Sequence, residues 1–115
     1  MTTTDARVKL TAALDGLGLQ ALPYPPPVPS VGQAWPQWVM SEIAGNCAYT
    51  HTWEVYAVVA GSDPQSTATR ADQLIEAMAD ALAAVGTVVQ LEPVLLTLTD
   101  NQNGLPCIRV RVETS

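Results

Sequence analysis

Apolar and polar residues alternate with two different periods along this chain, and the switches between periods mark its elements. From Asp5 to Leu17 the apolar positions Ala6, Leu10, Ala13, Leu14 and Leu17 recur at helical spacing, with Arg7, Lys9 and Asp15 off the stripe. The threonines before this segment are candidate N-caps, and Gly16 and Gly18 provide the stop. A second helix is predicted from Pro64 to about Ala84. Asp63 caps it, Pro64 occupies its first turn, and Gly86 ends it. Its stripe is Ala71, Leu74, Ile75, Met78, Leu82 and Val85.

Elsewhere the period is two. Ala34 to Ile43 reads as a strand whose start Pro36 pushes to a sheet edge. Ala44-Gly45-Asn46 reads as a turn, and Cys47 to Ala60 as a long strand. The odd positions of that strand (Cys47, Tyr49, His51, Trp53, Val55, Ala57, Val59) share one face, while the even ones stay polar until Tyr56 and Val58. Thr87 to Leu98 is one strand interrupted at Pro93, or two short ones. Asp100 to Gly104 is a turn-rich loop, and Ile108, Val110 and Val112 alternate with Arg109, Arg111 and Glu113 in a half-buried terminal strand. The prolines from Pro23 to Pro29 remove backbone donors, so residues 22–30 form a stiff extended arm rather than a central strand. The PxxP spacing in the arm lacks the flanking arginine of an SH3 ligand.

The order helix, two strands, helix, two or three strands (α-β-β-α-β-β in its four-strand form) predicts an α+β fold. Its sheet has about four strands, mostly antiparallel, with both helices packed on one face. The 115 residues suffice for a single domain, 1–115.

Composition narrows the function. Five Lys and Arg against eleven Asp and Glu leave a net charge of -6, which argues against gripping nucleic acid phosphates or an anionic membrane surface. The longest apolar run, Val55 to Ala60, is far short of the ~20 residues of a membrane span. The N-terminus lacks the basic start and apolar core of a signal peptide, so the chain is expected to stay where it is made, with Cys47 and Cys107 as free packing residues. Charged residues are only 14%, few for covering a small monomer, which points to surface covered by a partner.

Catalytic constellations are sparse. His51 is the only histidine, and Cys47 lies ~13 Å back along the same strand face, too far for a nucleophile and base. One histidine and two distant cysteines match no zinc spacing, and the dispersed glycines form neither a P-loop nor a dinucleotide fingerprint. No enzyme activity, metal, nucleotide or other cofactor is expected. Trp35, Trp38 and Trp53 suit a core or a subunit interface. In the second helix Asp72, Glu76 and Asp80 form a row of like charges at i, i+4 spacing. Arg109 and Arg111 lie on one face of the last strand, so the row and the arginine pair are expected to meet between subunits.

The helix with Arg7 and Leu10, the proline arm ending at Pro29 and the strand Trp53-Glu54-Val55-Tyr56-Ala57-Val58-Val59 come first in the chain. Gly61, Asp63, the second helix, Pro93 and the terminal strand Pro106 to Val112 follow. Together they resemble the tail terminator proteins (tail completion or tail-to-head joining proteins) of long-tailed bacteriophages, most closely versions from phages of actinobacteria. The resemblance implies a non-enzymatic structural virion protein assembled in the host cytoplasm. It would be a homo-oligomeric ring, usually a hexamer, that caps the head-proximal end of the tail tube and stops its polymerisation. Its implied partners are other copies of the chain, the tail tube protein and a neck or stopper protein, with DNA passing through the lumen without specific binding. The family carries over no fixed site residues. The interface residues expected from this sequence are Asp72, Glu76, Asp80, Arg109 and Arg111, with Tyr24 and Val28 of the arm and Tyr56. A head-completion or stopper protein is the nearest alternative. From a different class, a small cytosolic α+β dimer would bind a metabolite between Trp35, Trp53 and His51.

Overall fold

The computed structural model describes residues 2–43, 48–59, 63–98 and 101–115, with the backbone alone at 97, 98 and 101–103. The elements follow the order α1 (Thr3–Asp15), β1 (Gln20–Ala21), β2 (Gln33–Ile43), β3 (Tyr49–Val58), α2 (Pro64–Ala83), β4 (Thr87–Leu98) and β5 (Asn101–Thr114). The fold is α+β. Its five strands form one mixed sheet in the order β1-β2-β3-β5-β4, in which β1 pairs with β2 in parallel and every other pair is antiparallel.

Both helices begin where their caps require. Thr2 accepts the Asp5 N–H at 3.1 Å while the Asp5 carboxylate accepts the Thr2 N–H, a reciprocal capping box. Asp63 accepts the Ser66 N–H at 2.8 Å ahead of Pro64. Their apolar stripes face one side of the sheet. Ala6, Leu10 and Leu14 of α1 and Met78 and Leu82 of α2 pack on Ala34, Trp53, Val55, Ala57, Ile108, Val110 and Val112. Trp53, with no exposed surface, donates its indole N–H to the Thr114 hydroxyl at 3.2 Å, and the Arg7 guanidinium lies over its ring.

Two expectations change, and one left open between two forms is decided. A fifth strand is present: β1, two residues long, pairs Gln20 and Ala21 with Gln33 and Ala34. It covers the start of β2, so the bare edge begins only after Ala34. Thr87 to Leu98 is one strand that runs through Pro93 on an outer edge, where a missing N–H disrupts no ladder bond. The stretch expected as a loop at Asn101 to Gly104 belongs to β5, with Gly104 at φ 68° next to a register shift between Leu96 and Leu98. The expected turn at 44–46, Cys47, Gly61 and Asp100 lie outside the described residues.

Gly86 holds the join between α2 and the sheet. A Cβ there would lie 2.4 Å from the Glu113 carbonyl oxygen, so only glycine permits β5 to pass this close.

Candidate assembly surface

The open face of the sheet is organised by strand register. One row across the four long strands reads Trp35, Tyr56, Arg109, Glu92, and the next reads Gln37, Glu54, Arg111, Gln90. Directly opposed side chains on antiparallel strands lie close together, so these rows place acids beside arginines. Glu54 accepts from Arg111 at 2.9 Å and from the Tyr56 hydroxyl at 2.7 Å, with Arg109 at 3.9 Å, and Arg109 also pairs with Glu92. Burial pushes the Glu54 carboxyl up, but the hydrogen bonds from Arg111 and Tyr56 and the two positive charges outweigh it and hold the group below its ordinary value. Burial and the bond to Glu54 raise the Tyr56 hydroxyl.

Within the subunit the arginines are already paired, whereas the expected contact with the acid row would lie between subunits. Arg109 and Arg111 find their carboxylates in their own chain, at Glu54 and Glu92, because register brings those residues opposite them. Tyr56 is 9% exposed and stacks on Trp35 with ring centroids 5.6 Å apart, so its surface is buried within the subunit. Asp72, Glu76 and Asp80 are all exposed, on the side of α2 away from its apolar stripe.

The arm is anchored at its root and bare in its middle. Arg7 donates to the Pro23 carbonyl at 2.8 Å and stacks under Tyr24, and Pro29 is buried. Tyr24 and Val28 remain 63% and 75% exposed.

The residues of the metabolite-binding alternative do not converge. Trp35 lies on the open face, whereas Trp53 and His51 face the helix side, since their strand positions differ in parity from Tyr56. His51 pairs with Thr114, seven residues along β5 from Cys107, a separation of ~23 Å that rules out a shared nucleophile and base. Burial pushes the Cys107 thiol up to about 11, which keeps it protonated and inert. His51 instead meets Ser41, whose hydroxyl is 2.6 Å from Nδ1 and accepts the Trp38 indole N–H at 3.0 Å. Among the described residues no group of three or more His, Cys, Asp or Glu side chains converges as a metal site. No helix among them is long and apolar enough to cross a membrane.

Sequence reasoning missed the apolar surface at the two ends of the sheet. The far end of the β2–β3 hairpin exposes Trp38, Val39, Met40, Ile43 and Tyr49, and β4 exposes Val89, Leu91 and Leu95. The signal was present as apolar residues at both parities in Trp38-Val39-Met40, where a register shift between Trp38 and Met40 turns successive side chains outward. An apolar groove of about 560 Å³ runs between the start of α2 and the β4–β5 hairpin, lined among others by Pro64, Ala68, Pro93, Leu95 and Pro106. Comparison with protein-family models, with curated proteins and with solved structures finds no match to this chain.

Proposed function

We propose that this chain is a tail terminator subunit, a structural protein whose copies close into a ring at the head-proximal end of a phage tail tube, stop tube growth and join the tail to the neck. One observation carries the assembly part of the reading. A chain with a net charge of -6 and 14% charged residues exposes large apolar side chains along both outer strands of its sheet, Trp38, Val39, Met40 and Ile43 on β2 and Val89, Leu91 and Leu95 on β4, as well as on the arm. Concentrations of exposed apolar surface on a small protein mark interaction sites. The phage assignment rests on the resemblance in residues Arg7 to Val112 described above. The acid row on α2 supports a ring that DNA traverses without sticking, because exposed carboxylates repel phosphates.

Imaging of phage particles that lack this protein tests the reading. Overlong tails without heads are expected. Tails of normal length accompanied by heads that leak DNA would overturn it in favour of a head-completion or stopper protein.

A further inference from the structure

The sheet order β1-β2-β3-β5-β4 leaves two long edges bare among the described strands, and they are unlike each other. One is β2 beyond Ala34, since β1 covers only Gln33 and Ala34. The other is β4 along its length. A bare edge presents a row of backbone donors and acceptors, which natural proteins guard with lysine, proline or a covering element. Neither edge here carries a lysine or arginine; each carries one proline, Pro36 and Pro93, β2 has one exposed carboxylate near its end, Glu42, and the single glutamate of β4, Glu92, is turned to Arg109. Exposed Trp38, Val39, Met40 and Ile43 line the first edge, and Val89, Leu91 and Leu95 the second.

We infer that the β2 edge of one copy pairs with the β4 edge of the next, so that the sheet runs on across the subunit boundary; this rests on the ring reading above. Three features of the chain fit a second copy as the occupant. A closed ring needs a contact between two different patches of one subunit, and these edges lie on opposite sides of one sheet. Their directions are compatible, because β2 and β4 run oppositely within the sheet, and rotation about an axis along the strands sets them antiparallel between copies. Their obstructions also coincide. Following register across the sheet, Ala34 leads through Ala57 and Ile108 to Pro93, so the level where β4 lacks an N–H is the level where β1 already occupies the partner edge. Traced the same way, residues 35–40 of one copy lie level with residues 92–87 of its neighbour and are left to pair, with Pro36 offering an acceptor but no donor.

Two double variants of the full chain test this. Val39→Lys with Met40→Lys guards one edge, and Val89→Lys with Leu91→Lys guards the other. All four side chains are exposed, so circular dichroism and thermal midpoint are expected to match wild type, and aspartates at the same positions serve if either lysine pair unfolds the chain. By analytical ultracentrifugation each variant alone should need at least tenfold more protein than wild type to assemble. An equimolar mixture should form a one-to-one dimer and stop, because each variant retains the one edge that the other lacks. Either variant self-associating like wild type, or a mixture that stays monomeric, would overturn the inference. Wild type that is monomeric at every concentration would do so as well. If the edges behave as expected but wild type grows open-ended fibres, the ring reading fails and the edge pairing stands. If wild type closes into rings while both variants assemble normally, the reverse holds.

Discussion

The two faces of the sheet use opposite chemistry for the same task. On the helix side, α1 and α2 cover Trp53, Val55, Val110 and Val112, and these residues have no exposed surface. Among the described residues no second layer of helices covers the open side, where Trp35, Tyr56, Val58 and Cys107 form a small apolar cluster beside in-plane ion pairs. Trp35 stacks on Tyr56, and Glu54 is held between two arginines. The first face draws its stability from apolar area, which changes little with pH or salt. The second depends on register and charge as well, and its ion pairs, with the Arg109 and Arg111 side chains 31% and 41% exposed, are open to screening.

The largest expected effect falls on the covered face. Leu82→Ala removes a fully buried side chain between α2 and the sheet and should cost about 2–5 kcal/mol in denaturant unfolding. A cost below 1 kcal/mol would mean that the helix layer is loosely packed. Gly86→Ala should follow with a loss of roughly 1–3 kcal/mol, because its Cβ meets the Glu113 backbone rather than a side chain that can swing aside.

Glu54→Gln separates the two faces. It removes the charge at the centre of the open-face network and should cost roughly 1–3 kcal/mol near neutral pH. The Glu54 carboxyl lies below its ordinary 4.5 in the folded chain, so its contribution is present above that value and is lost as pH falls through the folded value. Wild type should therefore approach the variant in stability on acidification below pH 4.5, while a wild-type advantage unchanged in acid would show that charge is not its source. The smallest effect is expected from Trp35→Phe. The Trp35 indole N–H is buried without a hydrogen-bond partner among the described residues, so losing it offsets the lost ring area, and the unfolding free energy should stay within about 1 kcal/mol of wild type.

What could be read in the sequence tracks this difference between faces. The stripes Ala6-Leu10-Leu14 and Met78-Leu82, the caps and the alternation of Val55, Ala57, Ile108, Val110 and Val112 are local patterns, and they place the covered core. The partners of Arg109 and Arg111 are set by register between strands distant in sequence. A one-residue slip would change every neighbour, and nothing local fixes it. For that reason the sequence alone points to the acid row of α2 as the arginines' partner, and nothing local singles out Glu54 or Glu92. The strand β1 escaped notice because two residues, Gln20 and Ala21, carry no periodicity at all. The exposed apolar edge was hidden by the register shift after Trp38, which breaks the alternation that would have marked those side chains as facing in or out.

The central claim is that this subunit is built to be completed by copies of itself in a closed ring. Native mass spectrometry of the wild-type chain, paired with class averages of stained particles from micromolar to millimolar concentration, tests it most directly. The account predicts one closed species of about six copies with a central opening, without intermediates of unlimited length. A chain that stays monomeric throughout that range, or that stops at a two-fold dimer, would contradict it.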